Sequence, residues 1–414
     1  MTLRASKPAF NVREKLTELG RRFGLKGSEL AAAETTQEAG ALLGVGRRNF
    51  IMNPKFDIDQ RSGGSQINHT SGSQNLIDRW STYTNLSNHS SNYDIVNDAP
   101  VDSGIYRSVR ITAAAASTYS TNQEYQFRQK FEGYDVKRLG WGTTGAKYST
   151  VSFWVKSSIP GKYGLTAFFF GASSADRRFV GEYHINSANT WEYKTVTIPP
   201  LTESINQVNY EANASGMLMW SLGAHSNYQG KPGKWYSTYK VDPTGSVPFF
   251  ATNGATFYLT GVQWELGKVA TQLEHRSYGE ELQLCKRYYQ RWNGNDPDFN
   301  TYDSGGNRSG LTSVARATLI AQGVVHDSDD ANVSMMLDVE MRDNPTVILP
   351  SGNNSIRLMV GSAIYDNATY VQENNCSRNI LSIFVDNGGA MTASQSASLI
   401  LKDTNSYIAL DAEI

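Results

Sequence analysis

Between residues 49 and 277, apolar side chains recur at every second position in short runs, and turn-forming residues separate the runs. This pattern confines the chain to a β fold. Val151, Phe153 and Val155 alternate with Ser152, Trp154 and Lys156, and period two places the two sets on opposite faces of an extended strand. Arg178 to Ile185, Trp191 to Ile198, Gly216 to Leu222 and Thr256 to Leu266 repeat this texture, and Tyr163 to Phe170 is a dense aromatic run stopped by Gly171. Many short strands with Gly, Asn, Pro and Ser punctuation predict a β-sandwich or jelly roll. Roughly 225 residues are enough to bury a substantial core. Trp80, Trp154 and Trp191 fall within the alternation and are predicted to be core. Asn49 to Pro54 reads as an opening strand that Pro54 interrupts, resumed at Phe56 and Ile58. Gly261 inside a strand predicts a bulge.

Helical signals are confined to two places. In residues 1–48, Asn11 stands as an N-cap with Glu14 at the third helical position, a capping-box pattern. Val12, Leu16, Leu19 and Phe23 follow on one stripe before Gly24. A second start at Ser28 includes Leu30, and a third near Thr35 ends at Leu42 and Leu43 before Gly44. Helices this short are marginal alone in water. The arm is therefore expected to dock through Val12, Leu16, Leu19, Phe23, Leu30, Leu42 and Leu43 on another protein. The second place is a linker helix expected within 278–296. There Leu282, Cys285, Tyr288 and Tyr289 form an apolar stripe, with Glu280, Glu281, Lys286 and Arg287 opposite. Glu274, His275 and Arg276 just before it read as a charged cluster fixing the exit of the last strand, with no catalytic constellation around His275.

A linker-like break at Asn293 to Asp298 opens a second, aromatic-poor β unit at 297–414. Leu311 to Val325, Ala331 to Met341, Ser355 to Ile364 and Leu381 to Val385 are its main strand runs. Asp327, Asp329 and Asp330 lack the spacing of a calcium loop and read as a solvated turn. The expected class is thus mainly β: a short α-helical N-terminal arm, a large jelly-roll β-sandwich, a short linker helix and a smaller C-terminal β-sandwich.

Composition narrows the function. Lys plus Arg is 38 and Asp plus Glu is 39 in 414 residues, which gives no basic excess for nucleic acid. With 22 Tyr, 16 Phe and 8 Trp the chain is not of the disordered class. No run approaches the ~20 apolar residues of a membrane helix, so no membrane insertion is expected. Met1 to Lys15 has no apolar signal-peptide core. The two cysteines, Cys285 and Cys376, fall in different predicted units, so the fold is not disulfide-stapled. No P-loop, Gly-x-Ser-x-Gly elbow or His-Glu-x-x-His motif is present, and the six histidines lack zinc spacing. No enzyme, cofactor or metal is expected. The candidate ligand surface is a loop in which Tyr228, Trp235, Tyr236 and Tyr239 flank Gln229 to Lys234. Aromatic faces beside polar groups on a scaffold loop can stack on sugars. The alternative is that these rings pack beneath the loop or at a subunit interface.

A resemblance enters on five blocks and their order: Asn49 to Asn53, Asp78 to Trp80, Val151 to Lys156, Asn189 to Ile198 and Phe257 to Gly267. The segment from Glu274 to Tyr289 matches as well. Together, over about 49–293, they resemble the jelly-roll modules of bacteriophage tail fibres and related virion appendages. Val339 to Val347 and Ile408 to Ile414 resemble the small distal domains that follow such modules. The resemblance implies a carbohydrate-binding-module-like sandwich on a phage particle, assembled in the host cytoplasm. It implies a homotrimer, another virion structural protein held by the arm, and a host-surface glycan as the contact. The family supplies no defined sugar site, so no binding residue is carried over. The alternatives are a head fibre or capsid-decorating or connector subunit without a receptor role, and a polysaccharide depolymerase.

Overall fold

The structure is a computed structural model and describes residues 47–171, 175–203, 214–293, 318–349, 356–361, 363–365, 369–373, 376–386, 389, 391–401 and 406–414. The expected arm contacts Val12, Leu16, Leu19, Phe23, Leu30, Leu42 and Leu43 lie outside the described residues. The chain is mainly β.

The body begins with β1 (Ile67–His69), β2 (Gly72–Ile77), β3 (Trp80–Thr84), β4 (Ser91–Val96), β5 (Ser108–Ala113) and β6 (Glu124–Glu132). A single helical turn, α1 (Gly133–Val136), leads to β7 (Ser149–Ser157), β8 (Gly161–Phe169), β9 (Arg177–Ile185), β10 (Glu192–Ile198) and β11 (Ala214–Ala224). Three short pieces follow, β12 (Gln229–Gly230), β13 (Lys234–Tyr236) and β14 (Asp242–Pro243), and then the long β15 (Thr256–Leu266). One sheet has the order β1-β4-β5-β15-β7-β10, and the other β13-β9-β8-β11-β6-β3-β2. Their inner faces meet in one core. Val151, Phe153, Val155, Phe257 and Trp264 come from the first sheet, and Trp80, Phe127, Leu165, Leu218 and Trp220 from the second. Trp80 stacks on Phe127 with centroids 5.0 Å apart.

The bulge at Gly261 is present. The pairing of β15 with β7 shifts between Thr260 and Gln263, and Gly261 has φ +60°. A Cβ there would stand 2.6 Å from Ile105 Cδ1. The extra residue switches parity, so that Leu259 and Val262 both face the core.

Several expectations are corrected. Residues 49–58 form no strand. Asn53 and Phe56 both take positive φ, which breaks extended pairing, and side chains hold this strap instead. Asn49 Nδ2 donates to Val262 O (2.9 Å), and Asn49 Oδ1 accepts from Trp264 N. Glu274 Oε2 accepts from the backbone N–H of Arg48 and Asn49, and Arg276 donates to the carbonyls of Asn49 and Ile51. The charged cluster at 274–276 therefore staples the chain entry to the exit of β15. Trp154 is not core, because Phe153 and Val155 occupy the inward positions of β7. Trp191 precedes β10 and lies on the same outer surface, with its Nε1 on Asp98 Oδ1.

The helix α2 (Tyr278–Lys286) is capped by Ser277, whose Oγ accepts from Glu280 N. Helix ends before residue 287, and the chain continues as β16 (Tyr289–Asn293). Glu281, expected on the outward face, is buried. It accepts from Asn53 N (2.6 Å) and pairs with Arg276. Cys285 is buried and free, and burial pushes its thiol well above the ordinary range, the opposite of a reactive cysteine.

β16 pairs with the last strand of the second unit. That unit comprises β17 (Thr318–Val325), β18 (Asp330–Met336), β19 (Thr346–Ile348), β20 (Ile356–Val360), β21 (Ala363–Tyr365), β22 (Thr369–Glu373), β23 (Ile380–Asp386), β24 (Ser396–Leu401) and β25 (Tyr407–Asp411). A three-stranded sheet β16-β25-β19 and a seven-stranded sheet β21-β20-β24-β17-β18-β23-β22 share an aliphatic core that includes Val333, Leu358, Ile383, Leu399 and Leu410. Asp327 is an exposed turn residue whose Oδ1 accepts from the backbone N–H of Asp329 and Asp330. Among the described residues no cluster of side chains suits a metal ion, and no helix is long and apolar enough to cross a membrane.

Candidate functional site

Alternation on the seven-stranded sheet decides which side chains leave the core. In β6, Tyr125 and Phe127 point inward, so Glu124, Gln126 and Arg128 project from the outer face. In β11 the inward residues are Leu218 and Trp220, and Met217 and Met219 form a separate outer cluster with Phe168, Val241 and Tyr228. Arg178 of β9 and Tyr83 of β3 take outer positions by the same parity.

Residues 225–247 fold over this face and are fastened to it. Gly233 N donates to Val180 O (2.8 Å) and Val247 N to Lys162 O (2.9 Å). Thr166 Oγ1 donates to Val241 O (2.9 Å). β13 pairs with β9 in the register Trp235↔Phe179 and Tyr236↔Arg178. Adjacent residues of a strand face opposite ways, so the four aromatic residues singled out in the sequence separate. Trp235 turns inward and packs on Trp141 (5.1 Å) and Phe179, with its Nε1 on Pro199 O. It is structural. Tyr236 stays on the outer face, its hydroxyl donating to Lys231 O. Tyr228 and Tyr239 come together with ring centroids 4.7 Å apart.

Around that pair lies a polar network the sequence reading missed. Tyr239 Oη donates to Glu124 Oε1 (2.6 Å), and Gln126 Nε2 donates to Glu124 Oε2 (2.8 Å). Arg128 donates to Gln126 Oε1 (3.0 Å) and to Ser73 Oγ (2.9 Å), with its guanidinium 5.3 Å from the Tyr83 ring. Arg178 sits 3.9 Å from the Phe168 ring centroid and 4.6 Å from that of Tyr239. Burial raises the Glu124 carboxyl above its ordinary range. Burial and then the Glu124 charge push up the Tyr239 hydroxyl. Tyr239 itself is 37% exposed. The arrangement offers ring faces, amide and guanidinium donors and one buried carboxylate on the outer sheet face, with the ring of Tyr239 reaching solvent. It can hold an extended polar ligand. The alternation of Glu124, Gln126 and Arg128 with large inward residues was the available signal.

No protein-family model matches the chain, and no curated protein matches it. Solved structures are similar to it. One is the enzymatically active domain of tailspike protein 4 of bacteriophage CBA120, with 12% identity, TM-score 0.30, 53% of this chain and 21% of that one covered. The alignment thus spans about a fifth of that domain's length. The family 11 carbohydrate-binding module of a cellulosomal cellulase of Clostridium thermocellum covers 49% of this chain and 99% of its own, at 12% identity and TM-score 0.25. TmCBM61, solved with β-1,4-galactotriose, covers 54% and 100%, at 11% identity and TM-score 0.25.

The loop's attachment should depend on pH. Asp242 of β14 is fully buried and is bonded by Ser246 Oγ. Burial raises its carboxyl to about 7. A carboxyl raised on folding contributes stability that is complete below the unfolded value and is lost as pH climbs through the folded one. Asp242→Asn does not titrate, so wild-type stability measured relative to this variant should fall by more than about 1 kcal/mol from pH 4 to pH 8 in urea denaturation. A flat difference would mean that Asp242 keeps its charge when folded.

A cleft of about 170 Å³ is lined by Arg47, Asn49, Phe50, Tyr134, Arg138 and Arg276 among others. It shares no residue with the tyrosine face. Its lining comes from the strap and its staples, and it belongs to the entry of the chain.

Proposed function

We propose that this chain is a structural subunit of a bacteriophage virion appendage, a fibre, and that its jelly roll holds a host-surface polysaccharide on the outer face of the seven-stranded sheet. One observation carries the reading. Tyr83, Tyr228 and Tyr239 border a hydrogen-bonded row of Glu124, Gln126 and Arg128 on the outer face of the sheet. Tyrosine supplies rigid ring area with a polar tip, and amide and guanidinium donors match sugar hydroxyls. The residues of the site work by contact, and binding alone accounts for them.

The arm and the oligomer complete the proposal. Residues 1–48 attach the subunit to another virion protein, and three copies present three faces. Several weak sites on one particle gain by avidity. Tyr239→Ala should weaken binding of the trimer to isolated host envelope polysaccharide by about tenfold or more, since stacking and one charge-assisted bond are lost together. Undiminished binding by this variant would remove the tyrosine face from the proposal. Deleting residues 1–48 should leave a folded body that no longer joins the particle. Incubation with the same polysaccharide should release no reducing ends, and their appearance would favour the depolymerase instead.

A further inference from the structure

The tyrosine face also bears on which polysaccharide it holds. Arg128 and Arg178 are both more than nine-tenths buried, and burying a charge is unfavourable unless an opposite charge meets it. Among the described residues Arg128 has no carboxylate within ion-pair distance. Its hydrogen-bond acceptors are the neutral Gln126 and Ser73. The carboxylate partner of Arg178 is Asp176, at 3.2 Å. Glu124 is the other carboxylate of this face. Both its oxygens are taken, by Tyr239 and Gln126. Lys240 on the covering loop spends its Nζ on a carbonyl, Asn227 O at 2.7 Å. Arg128, Arg178 and Lys240 thus outnumber the carboxylates Asp176 and Glu124, and the two arginines lie beside tyrosine rings.

We propose that the ligand is an acidic polysaccharide, one whose sugars bear carboxylates, and that Arg128 and Arg178 are the residues that recognise the charge. This rests on the reading that the face holds a glycan at all. Guanidinium groups recognise carboxylates through paired, charge-assisted hydrogen bonds. The flanking rings lie where the apolar faces of neighbouring sugars would stack. A neutral glycan would use the rings and leave Arg128 without an anion.

The test uses the full chain and the host envelope polysaccharide, before and after chemical reduction of its carboxylates to alcohols. Polygalacturonate and its reduced form are run beside it. Binding to an acidic polymer should weaken at least about tenfold on reduction and should fall as sodium chloride is raised. Arg128→Gln should lose a similar factor on the acidic form and a clearly smaller one on the reduced form, where only a hydroxyl contact is removed. The Gln side chain can still bond Ser73, and the reduced polymer tests the wild type without any substitution. Equal binding of acidic and reduced forms would overturn this inference and leave the glycan reading standing. Binding to neither form of any polymer would overturn both.

Discussion

Arg79→Ala should lower folding stability by about 3–5 kcal/mol, the range for leaving a buried charge without its partner. Arg79 is almost wholly buried, in the turn between β2 and β3, with φ +71°. Its Nη1 is ion-paired with Glu413, and its Nη2 donates to Lys130 O (2.6 Å). Its guanidinium lies 3.4 Å from the centre of the Tyr288 ring. These partners come from the body, from the chain just after α2 and from the segment following β25. Around them, Arg61 binds both Asp411 (2.8 Å) and Glu413 (3.2 Å), Lys130 Nζ donates to Ile414 O, and Ala412 N donates to Tyr288 O. Arg79→Ala would leave Glu413 buried with Arg61 as its remaining cation. The loss should therefore appear as uncoupling of the two β units, with urea unfolding separating into two steps. A double variant, Arg79→Met with Glu413→Met, removes both charges and should recover most of the stability. If the double variant is as unstable as the sum of the singles, the pair acts independently and the clamp is not the cause.

The body was legible because period two repeats along it, and the strands from Ser149 to Leu266 follow the pattern closely. Two of the failures share one cause: positions where backbone conformation or a single buried polar group overrides the pattern. Residues 49–58 carry an apolar run that reads like a strand, yet Asn53 and Phe56 adopt positive φ, and Asn49, Glu274 and Arg276 supply the hydrogen bonds that a sheet partner would have given. Glu281 looked solvent-facing because helical position says nothing of a cation arriving from Arg276. The tyrosine pair at 228 and 239 was visible as composition. Trp235 could be sorted from Tyr236 only once the register with β9 was known, because one residue of slip reverses every side chain of a strand. Glu124, Gln126 and Arg128 were hidden in a strand whose aromatic residues drew the eye to the core.

Gly164→Val should lift the covering loop from the sheet and abolish ligand binding while the sandwich remains folded. Gly164 lies in β8 between Glu182 and Ser221 on the flanking strands. Its outer side is where β14 rests. A Cβ at this position would stand 2.5 Å from Asp242 Oδ1, 2.7 Å from Pro243 Cδ and 3.2 Å from Ser221 Cβ. Gly164 is absent from the positive-φ glycines, so valine suits the strand backbone and the conflict is with the loop alone. Tyr163 and Leu165, the core neighbours, face the other way. Overpacking of this kind lowers stability by about 3 kcal/mol. The displaced segment carries Val241, whose carbonyl is anchored by Thr166, and its N–H is bonded to Tyr228 O. Moving it disperses Tyr228 and Tyr239, so polysaccharide binding should drop by more than about tenfold, with core tryptophan fluorescence unchanged. Should the variant lose stability and still bind as tightly as wild type, the loop would be a cover and the site would lie on the strands beneath it, at Tyr83 and Arg128.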